Sequence, residues 1–498
     1  MPEIFGADIG NGFCYISLAD DSKKPVSVMP EEFKNSGMPS MAYIDNDGSI
    51  LLRNIRNKIA KHPERGVTAV KTRLDEEKVT VNGVTYSPAE VYAAVVREAV
   101  SAANKTLSIS NRSPVYELVL AYPSAYHDDP KLIGRLRQAV ESVSVDGHKL
   151  EVKGMIPEPA AVALDYLHYM RYEADEEIRI KDKETTVLVY DLGHGSFDTA
   201  IVRAKDVDEN SDEEPYEVLP MKGGIPKCGG HNFNEIIRDM YVDTLIDEHE
   251  YTPNDFNKSR LYTLAESAKH ELSDSEESTQ IYVLPNGTAV EFSVTRDEFY
   301  ENSEHLIDET IEETEKLIAY AKENNITVDS ILLSGGASQM PAIKSRIEEV
   351  FPEFKDKVLL YKPHTAVSFG AARYAADIKV AQFTNKQYGY RNPQGDVTIL
   401  IDANAKLPYK SKPVTVLPAS SHFKLWIYVP ENIHSNTGEF PFDVPFNDCR
   451  NLVILSFDGV TPNEPCDITL TVNEEFGIIA ECTMKSGKIV RRSTFNCE

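Results

Sequence analysis

Cysteine is sparse and scattered in this chain. The six residues, Cys14, Cys228, Cys449, Cys466, Cys482 and Cys497, form no C-x-x-C pair and no Cys/His cluster at zinc spacing. Free thiols are therefore expected, and neither a zinc module nor a disulfide framework. Positive charge is also short: 52 Lys and Arg face 79 Asp and Glu, for a net charge of −27. Such a surface repels phosphate backbones and anionic lipid, so neither a nucleic acid nor a membrane is an expected partner. No apolar run approaches the length that crosses a bilayer. The first residues show no basic segment leading into an apolar core, so no secretory signal is read and a cytoplasmic location is the default expectation. The Walker pattern G-x-x-x-x-G-K-[ST], a G-x-G-x-x-G after a strand, G-x-S-x-G and H-E-x-x-H are all missing. Their absence argues against a P-loop ATPase, a dinucleotide fold, an α/β-hydrolase and a zinc protease.

Hydrophobic residues make up 41% and charged residues 26% of the 498 positions, an ordinary globular balance. The length calls for two or more domains. The acidic runs EADEEIRIKDKE and DVDENSDEEP read as solvated loops. One pattern occurs twice. An apolar run leads into Asp8-Ile9-Gly10-Asn11-Gly12 and out through FCYISLA; a second leads into Asp191-Leu192-Gly193-His194-Gly195 and out through Ser196-Phe197-Asp198-Thr199. Both predict a β-hairpin with a tight glycine turn. Glycines there let backbone N–H groups close on an anion. Two facing turns of this kind suit a polyphosphate, with Asp8 and Asp191 binding the water shell of Mg²⁺. A single copy would be ordinary hairpin punctuation; two copies make that explanation weak.

The paired D-x-G-x-G turns resemble the phosphate loops of the actin-like ATPase superfamily, which includes actin, sugar kinases and the 70-kDa heat-shock (DnaK-type) chaperones. That resemblance implies an α/β two-lobed ATPase domain, built from duplicated ribonuclease-H-like subdomains closing over ATP or ADP with Mg²⁺. It also singles out Lys71, which taken alone would be one surface lysine among many. In the heat-shock family a lysine in this segment reaches the terminal phosphate and the attacking water.

Further along, Ser87-Pro88-Ala89-Glu90 predicts a capped helix start. YELVLAYPSAYHDD predicts a buried strand entering a loop, and LIGRLRQAVESV a helix. Glu158-Pro159-Ala160-Ala161 matches the family's E-P-x-A-A segment between the lobes, which implies that Glu158 lies under the metal site. Gly229-Gly230 before HNFNEII offers N–H groups at a helix N-terminus, suited to a phosphate. The family has aspartates where Asn232 and Asn234 stand. LYTLAESAKHELSDSEE resembles the helix that holds ribose and adenine, which implies Glu266, Lys269, His270 and Ser273 as nucleoside contacts. ITVDSILLSGGASQMPAIKSRIEEVF predicts a strand, a turn and a helix opened by Pro341. It resembles the adenosine motif, with Gly335, Gly336, Ser338 and Gln339 at the nucleoside; in the closing helix His364 takes an acidic position.

From about Ala381 the chain turns to short period-two strands, VTILIDANAKLPYKSKPVTVL, FKLWIYV, LVILSF, DITLTVNEEFGIIAECT and KIVRRSTF, which predict an all-β sandwich. The order is similar to the heat-shock peptide-binding domain. The implied organisation is a nucleotide-binding domain over 1–379, a linker over 380–386 and a β-sandwich over 387–498, with no helical lid and no leucine-rich acidic linker. These features together predict a divergent chaperone of this family that binds unfolded or extended peptide, exchanges it quickly and works with co-chaperones. In hydrolysis Lys71 would contact the γ-phosphate, and Glu158, Asp191 and Asp198 would position water. Asn11 and Gly12 replace two threonines of the family and Ser196 a third, while Gln339 and His270 replace arginines. The losses imply weak nucleotide binding or slow turnover, and keep open a non-hydrolysing regulatory or scaffold protein of the same fold. An actin-like filament protein is the remaining alternative.

Overall fold

Both expected glycine turns close hairpins in the computed structural model, which describes residues 3–493 apart from 63–64, 69, 82, 129, 208–212 and 435–440. Cys497, the end of KIVRRSTF and the middle of DVDENSDEEP lie outside the described residues. Strand β1 (Phe5–Ile9) pairs antiparallel with β2 (Phe13–Ala19), with Asp8 opposite Tyr15. Helix α1 spans Glu158–His168, and β3 (Glu184–Leu192) runs through the second turn into β4 (Phe197–Lys205). Gly10 N–H donates to Phe13 O and Gly193 N–H to Ser196 O, each at 3.0 Å, so equivalent backbone bonds close the two turns. Helices α2 (Gly230–Asp247) and α3 (Asp255–Asp274), strand β5 (Ser330–Ser334) and helix α4 (Ala366–Ala375) supply the rest of the site.

The chain forms two compact units, the first made of Met1–Ala125, Ala139–Ala204 and Gly223–Ile378. Its first sheet has the order Glu151–Pro157, Glu117–Tyr122, β1, β2, Pro25–Ser27; the first three strands are parallel. A second sheet runs Val358–Leu360, β5, β3, β4, again with three parallel strands followed by a hairpin. Parallel strands buried on both faces need continuous apolar sequence, and TTVLVYDL supplies it: all eight residues are buried. Helix α4 packs on both β1 and α1 through small residues. A Cβ on Gly370 would overlap the Ala161 carbonyl, and one on Gly6 would overlap the Ala372 backbone. The capped helix appears as expected at Pro88–Ile109, with Ser87 Oγ accepting from Glu90 N–H.

Two of the larger elements of this unit that had no counterpart in the sequence reading lie between Glu277 and Glu323. They are the hairpin Glu277–Val283/Ala289–Thr295 and the 28-residue helix Arg296–Glu323. The second was legible, since Thr295-Arg296-Asp297-Glu298 forms a reciprocal capping box. The acidic run beginning at Glu173 is corrected in one respect. Residues 175–184 are largely exposed, but Glu173 is an ion-pair partner of Arg373 at 2.6 Å.

The second unit joins Lys379–Glu498 to two earlier segments, Tyr126–Gln138 and Lys205–Lys222. Tyr216 and Glu217 pair in parallel with Val380 and Ala381, so this unit is assembled from separated stretches of chain. The expected all-β texture is present as two antiparallel sheets. One has the order Phe442–Val444, Val397–Ile401, Tyr388–Arg391, His422–Pro430, Cys449–Asp458. The other has Tyr409–Lys410, Cys466–Val472, Ile478–Met484, Ile489–Ser493, with Val414–Val416 also on the second strand. Cys14, Cys228, Cys449, Cys466 and Cys482 are free thiols. Among the described residues no helix is long and apolar enough to cross a membrane.

Candidate functional site

Four carboxylates and one ammonium converge at the ends of β1 and β3. Asp8 closes β1, Glu158 opens α1, Asp191 lies near the end of β3 and Asp198 near the start of β4. Lys71 comes from a single 3₁₀ turn, Val70–Arg73, and is only 1% exposed. Its Nζ donates to Glu158 Oε1 at 2.5 Å. A surface lysine is thereby excluded. Burial pushes the Asp8 carboxyl up to about 7, with Glu158 adding repulsion and Lys71 opposing it. Asp198 is also raised to about 7 by burial and Glu158, against hydrogen bonds from Ser196 and the Ala125 amide. Asp191 lies well above the usual carboxylate range through burial and the charges of Glu158, Asp198 and Asp8. Burial pulls the Lys71 ammonium down, but Glu158 and Asp8 outweigh it and the net direction is up. Four carboxyl groups thus share one ammonium, and bound protons relieve the repulsion that Lys71 leaves between them. Among the described residues no three His, Cys, Asp or Glu side chains converge as a direct metal cage.

The two glycine turns face each other and touch. A Cβ on Gly12 would come within 2.8 Å of the His194 ring, and one on Gly195 within 3.0 Å of Asn11 Nδ2. Asn11 is buried, and its Oδ1 accepts from Thr72 N–H at 3.3 Å. Gly229 packs on the second turn closely enough that a Cβ would meet Gly195 N at 2.6 Å. The backbone donors expected at the start of α2 are already used. Gly229 N–H donates to Asn232 Oδ1 at 3.1 Å, Gly230 N–H to Gly193 O at 2.9 Å and His231 N–H to His194 O at 2.7 Å. The expectation of open donors there is corrected: these amides knit α2 to the turn.

The strand–turn–helix motif sits beneath the second turn. Gly335 has φ +80°, and a Cβ there would lie 2.6 Å from Asp191 Oδ1, so glycine is required on both conformational and steric grounds. Ser338 Oγ accepts from Leu192 N–H at 3.2 Å and donates to Ser334 O. Gln339 Nε2 donates to Gly336 O at 3.2 Å and lies 3.3 Å from His364 Nε2, both side chains exposed. On α3, Lys269 is buried and donates to Gly230 O at 2.9 Å. Burial lowers its ammonium to about 8, against the pull of Glu266. Glu266 Oε1 accepts from Asn234 Nδ2 at 3.5 Å, Ser273 Oγ donates to Lys269 O at 3.4 Å, and His270 faces outward. Two residues here escaped the sequence reading. His231 Nδ1 lies 2.6 Å from Tyr262 OH, and its ring is 6.0 Å from that of His194. Tyr262 stands four residues before Glu266, one helical turn away, which is the signal that would have found it.

The Hsp70 protein family model matches residues 52–429. The chain belongs to the Hsp70 family. A curated relative within reach of this Hsp70-family chain is the chaperone protein DnaK of Mycoplasmopsis agalactiae, 25% identical over 422 residues. That alignment covers 81% of this chain and 65% of the relative, so the chain spans about two thirds of its length. The second turn, α2, α3 and Gly335–Gln339 fall inside the family match. Asp8–Gly12 precedes it.

Proposed function

We propose that this Hsp70-family protein binds ATP or ADP with Mg²⁺ in its first unit, hydrolyses ATP slowly, and binds unfolded or extended polypeptide through its all-β unit as a chaperone served by co-chaperones. The observation that carries the reading is the meeting of both D-x-G-x-G turns with Lys71 and the surplus of buried carboxylate. The donor set fits the ion: hard oxygen ligands in excess of ammonium, in a cluster whose own cation is committed to Glu158. Asp8 and Asp191 would hold Mg²⁺ through its waters, and the ion would neutralise charge on phosphate oxygens. Lys71 would turn from Glu158 to the terminal phosphoryl group, and Glu158, Asp191 and Asp198 would orient the attacking water. The equivalent strand orders of the two sheets support a duplicated, actin-like architecture. The functional division proposed is 1–379 for nucleotide, 380–386 as linker and 387–498 for peptide. A second reading, a nucleotide-binding regulator or scaffold without turnover, is favoured by the spent amides of Gly229 and Gly230 and by the absence of hydroxyls at Asn11 and Gly12.

The test is thermal unfolding with ATP and ADP, with and without Mg²⁺, beside phosphate release on the same preparation. Stabilisation that grows with nucleotide above Kd is expected. No shift and no binding heat at saturating nucleotide would remove the nucleotide assignment, whereas a shift without phosphate release selects the regulator.

A further inference from the structure

Helix α1 meets α4 at a point of very close approach. A Cβ on Gly370 would lie 1.9 Å from Ala161 O, so the two backbones touch there with no side chain between them. Glu158 lies three residues before this crossing and Asp165 four residues after it. On α4, Arg373 lies three residues beyond Gly370, and a Cβ on Gly6 would lie 2.1 Å from Ala372 N. That second contact seats α4 on β1, two residues before Asp8. A crossing of this kind is a pivot: it sets the distance between two helices and leaves their angle open. At the helical rise Glu158 stands about 4.5 Å from the crossing, and a tilt of about 10° carries it by roughly 0.8 Å. Groups that act together on a substrate need to be held to about 0.5 Å.

Arg373 supplies the attachment that fixes the angle. Its Nε donates to Asp165 Oδ1 at 2.8 Å, and its Nη1 donates to Glu173 Oε1 at 2.6 Å and to Lys23 O at 3.4 Å. One guanidinium thus grips the far arm of α1, the segment that follows α1 and the turn that leaves β2. Lys362 and Tyr361, just before α4, hold the other oxygen of Asp165. Arg373 and Asp165 are both fully buried. We propose that Arg373 is a positioning residue for the nucleotide site: by holding Asp165 it sets the angle of α1 about Ala161, and with it the place of Glu158 and of the Lys71 ammonium bound to Glu158. The proposal rests on the nucleotide reading above. Arg373 acts through α1 and not on the phosphates, so its loss misplaces the groups that serve turnover and leaves the nucleoside contacts on α3 and Gly335–Gln339 in place.

Arg373→Met in the full chain is compared with Leu245→Ala, a buried truncation near the far end of α2 that serves as the control for lost stability alone. Arg373→Met is expected to lower kcat for phosphate release by about tenfold or more while KM stays within about threefold; Leu245→Ala leaves kcat near the parent's. Lysine labelled with ¹⁵N gives a readout that needs no nucleotide. The Lys71 Nζ resonance is expected to move, and its ammonium protons to exchange faster, in Arg373→Met and not in Leu245→Ala. In the paired variant Asp165→Leu with Arg373→Met, stability should recover in part while kcat stays low. A Lys71 resonance at the parent position in Arg373→Met overturns the proposal, as does a fall in kcat that Leu245→Ala reproduces or that the paired variant reverses. A parent chain that releases no phosphate removes the hydrolysis reading, and the Lys71 resonance then decides for or against Arg373 by itself. Should Arg373→Met not fold, Glu173→Gln takes its place, since it withdraws one of the two carboxylates that hold the guanidinium, and the same outcomes are read at smaller amplitude.

Discussion

Lys71 Nζ lies 2.5 Å from Glu158 Oε1, and the two side chains are only 2% and 13% exposed, although 87 positions separate them in the chain. Lys71 also draws on the carboxyl groups of Asp8, Asp191 and Asp198, and the consequences are measurable.

Lys71→Ala is expected to abolish most phosphate release while leaving nucleotide binding nearly intact, because a group acting on the terminal phosphoryl lowers kcat more than ground-state affinity. Removing one partner of a buried pair also costs about 3–5 kcal/mol of stability, readable in urea denaturation without nucleotide. Turnover equal to the parent's would show that Lys71 serves the fold alone.

The free protein should lose stability as pH rises. Asp8 and Asp198 titrate near 7 in the folded chain against an ordinary value of 3.8. The folded state therefore holds more protons than the unfolded state between those values. Stability falls through that window and reaches its floor above the folded titration, by on the order of 3 kcal/mol. Denaturation midpoints at pH 5 and pH 8 in chelator check the sign. Asp8→Asn should flatten the dependence, and a midpoint that climbs from pH 5 to pH 8 would contradict the cluster's electrostatics.

Asp165 accepts from Arg373 Nε at 2.8 Å, Lys362 Nζ at 2.8 Å and Tyr361 OH at 2.9 Å, and Arg373 in turn donates to Glu173 at 2.6 Å. Asp165 and Arg373 are both wholly buried, joining α1 to α4. Arg373→Met should cost about 3 kcal/mol, since it leaves buried Asp165 with Lys362 as its one remaining ion-pair partner and takes Arg373 from Glu173, and Asp165→Leu combined with Arg373→Met should recover part of that loss. Additive losses in the double variant would count against a coupled network.

Gly370→Ala should be among the most damaging single-methyl changes in the chain. The added Cβ meets the Ala161 backbone, which cannot turn aside as a side chain can, so a loss of about 3 kcal/mol or more is expected from overpacking. Gly287→Ala is the contrast: φ is +88° but nothing lies within 4 Å, leaving a conformational cost of about 1 kcal/mol. Thermal midpoints of the two variants, measured side by side, check the ranking.

The parts of this protein legible in its sequence are those encoded locally. Asp8–Gly12 and Asp191–Gly195 announce hairpins because glycine and period-two apolar flanks act within a few residues. Ser87 and Pro88 announce a helix for the same reason, and Gly335-Gly336 announces a turn that no residue with a Cβ could make. The capping box at Thr295 was equally local and equally readable, although the helix behind it went unread. Tertiary structure alone decided the rest. It buried Lys71 against Glu158, closed the Gly229 and Gly230 amides onto Asn232 and Gly193, and seated His194 against Gly12. It also drew Lys205–Lys222 into the same unit as the C-terminal strands. These are matters of desolvation, steric fit and Coulomb interaction between residues tens to hundreds of positions apart, and neither composition nor periodicity carries them until the chain is folded.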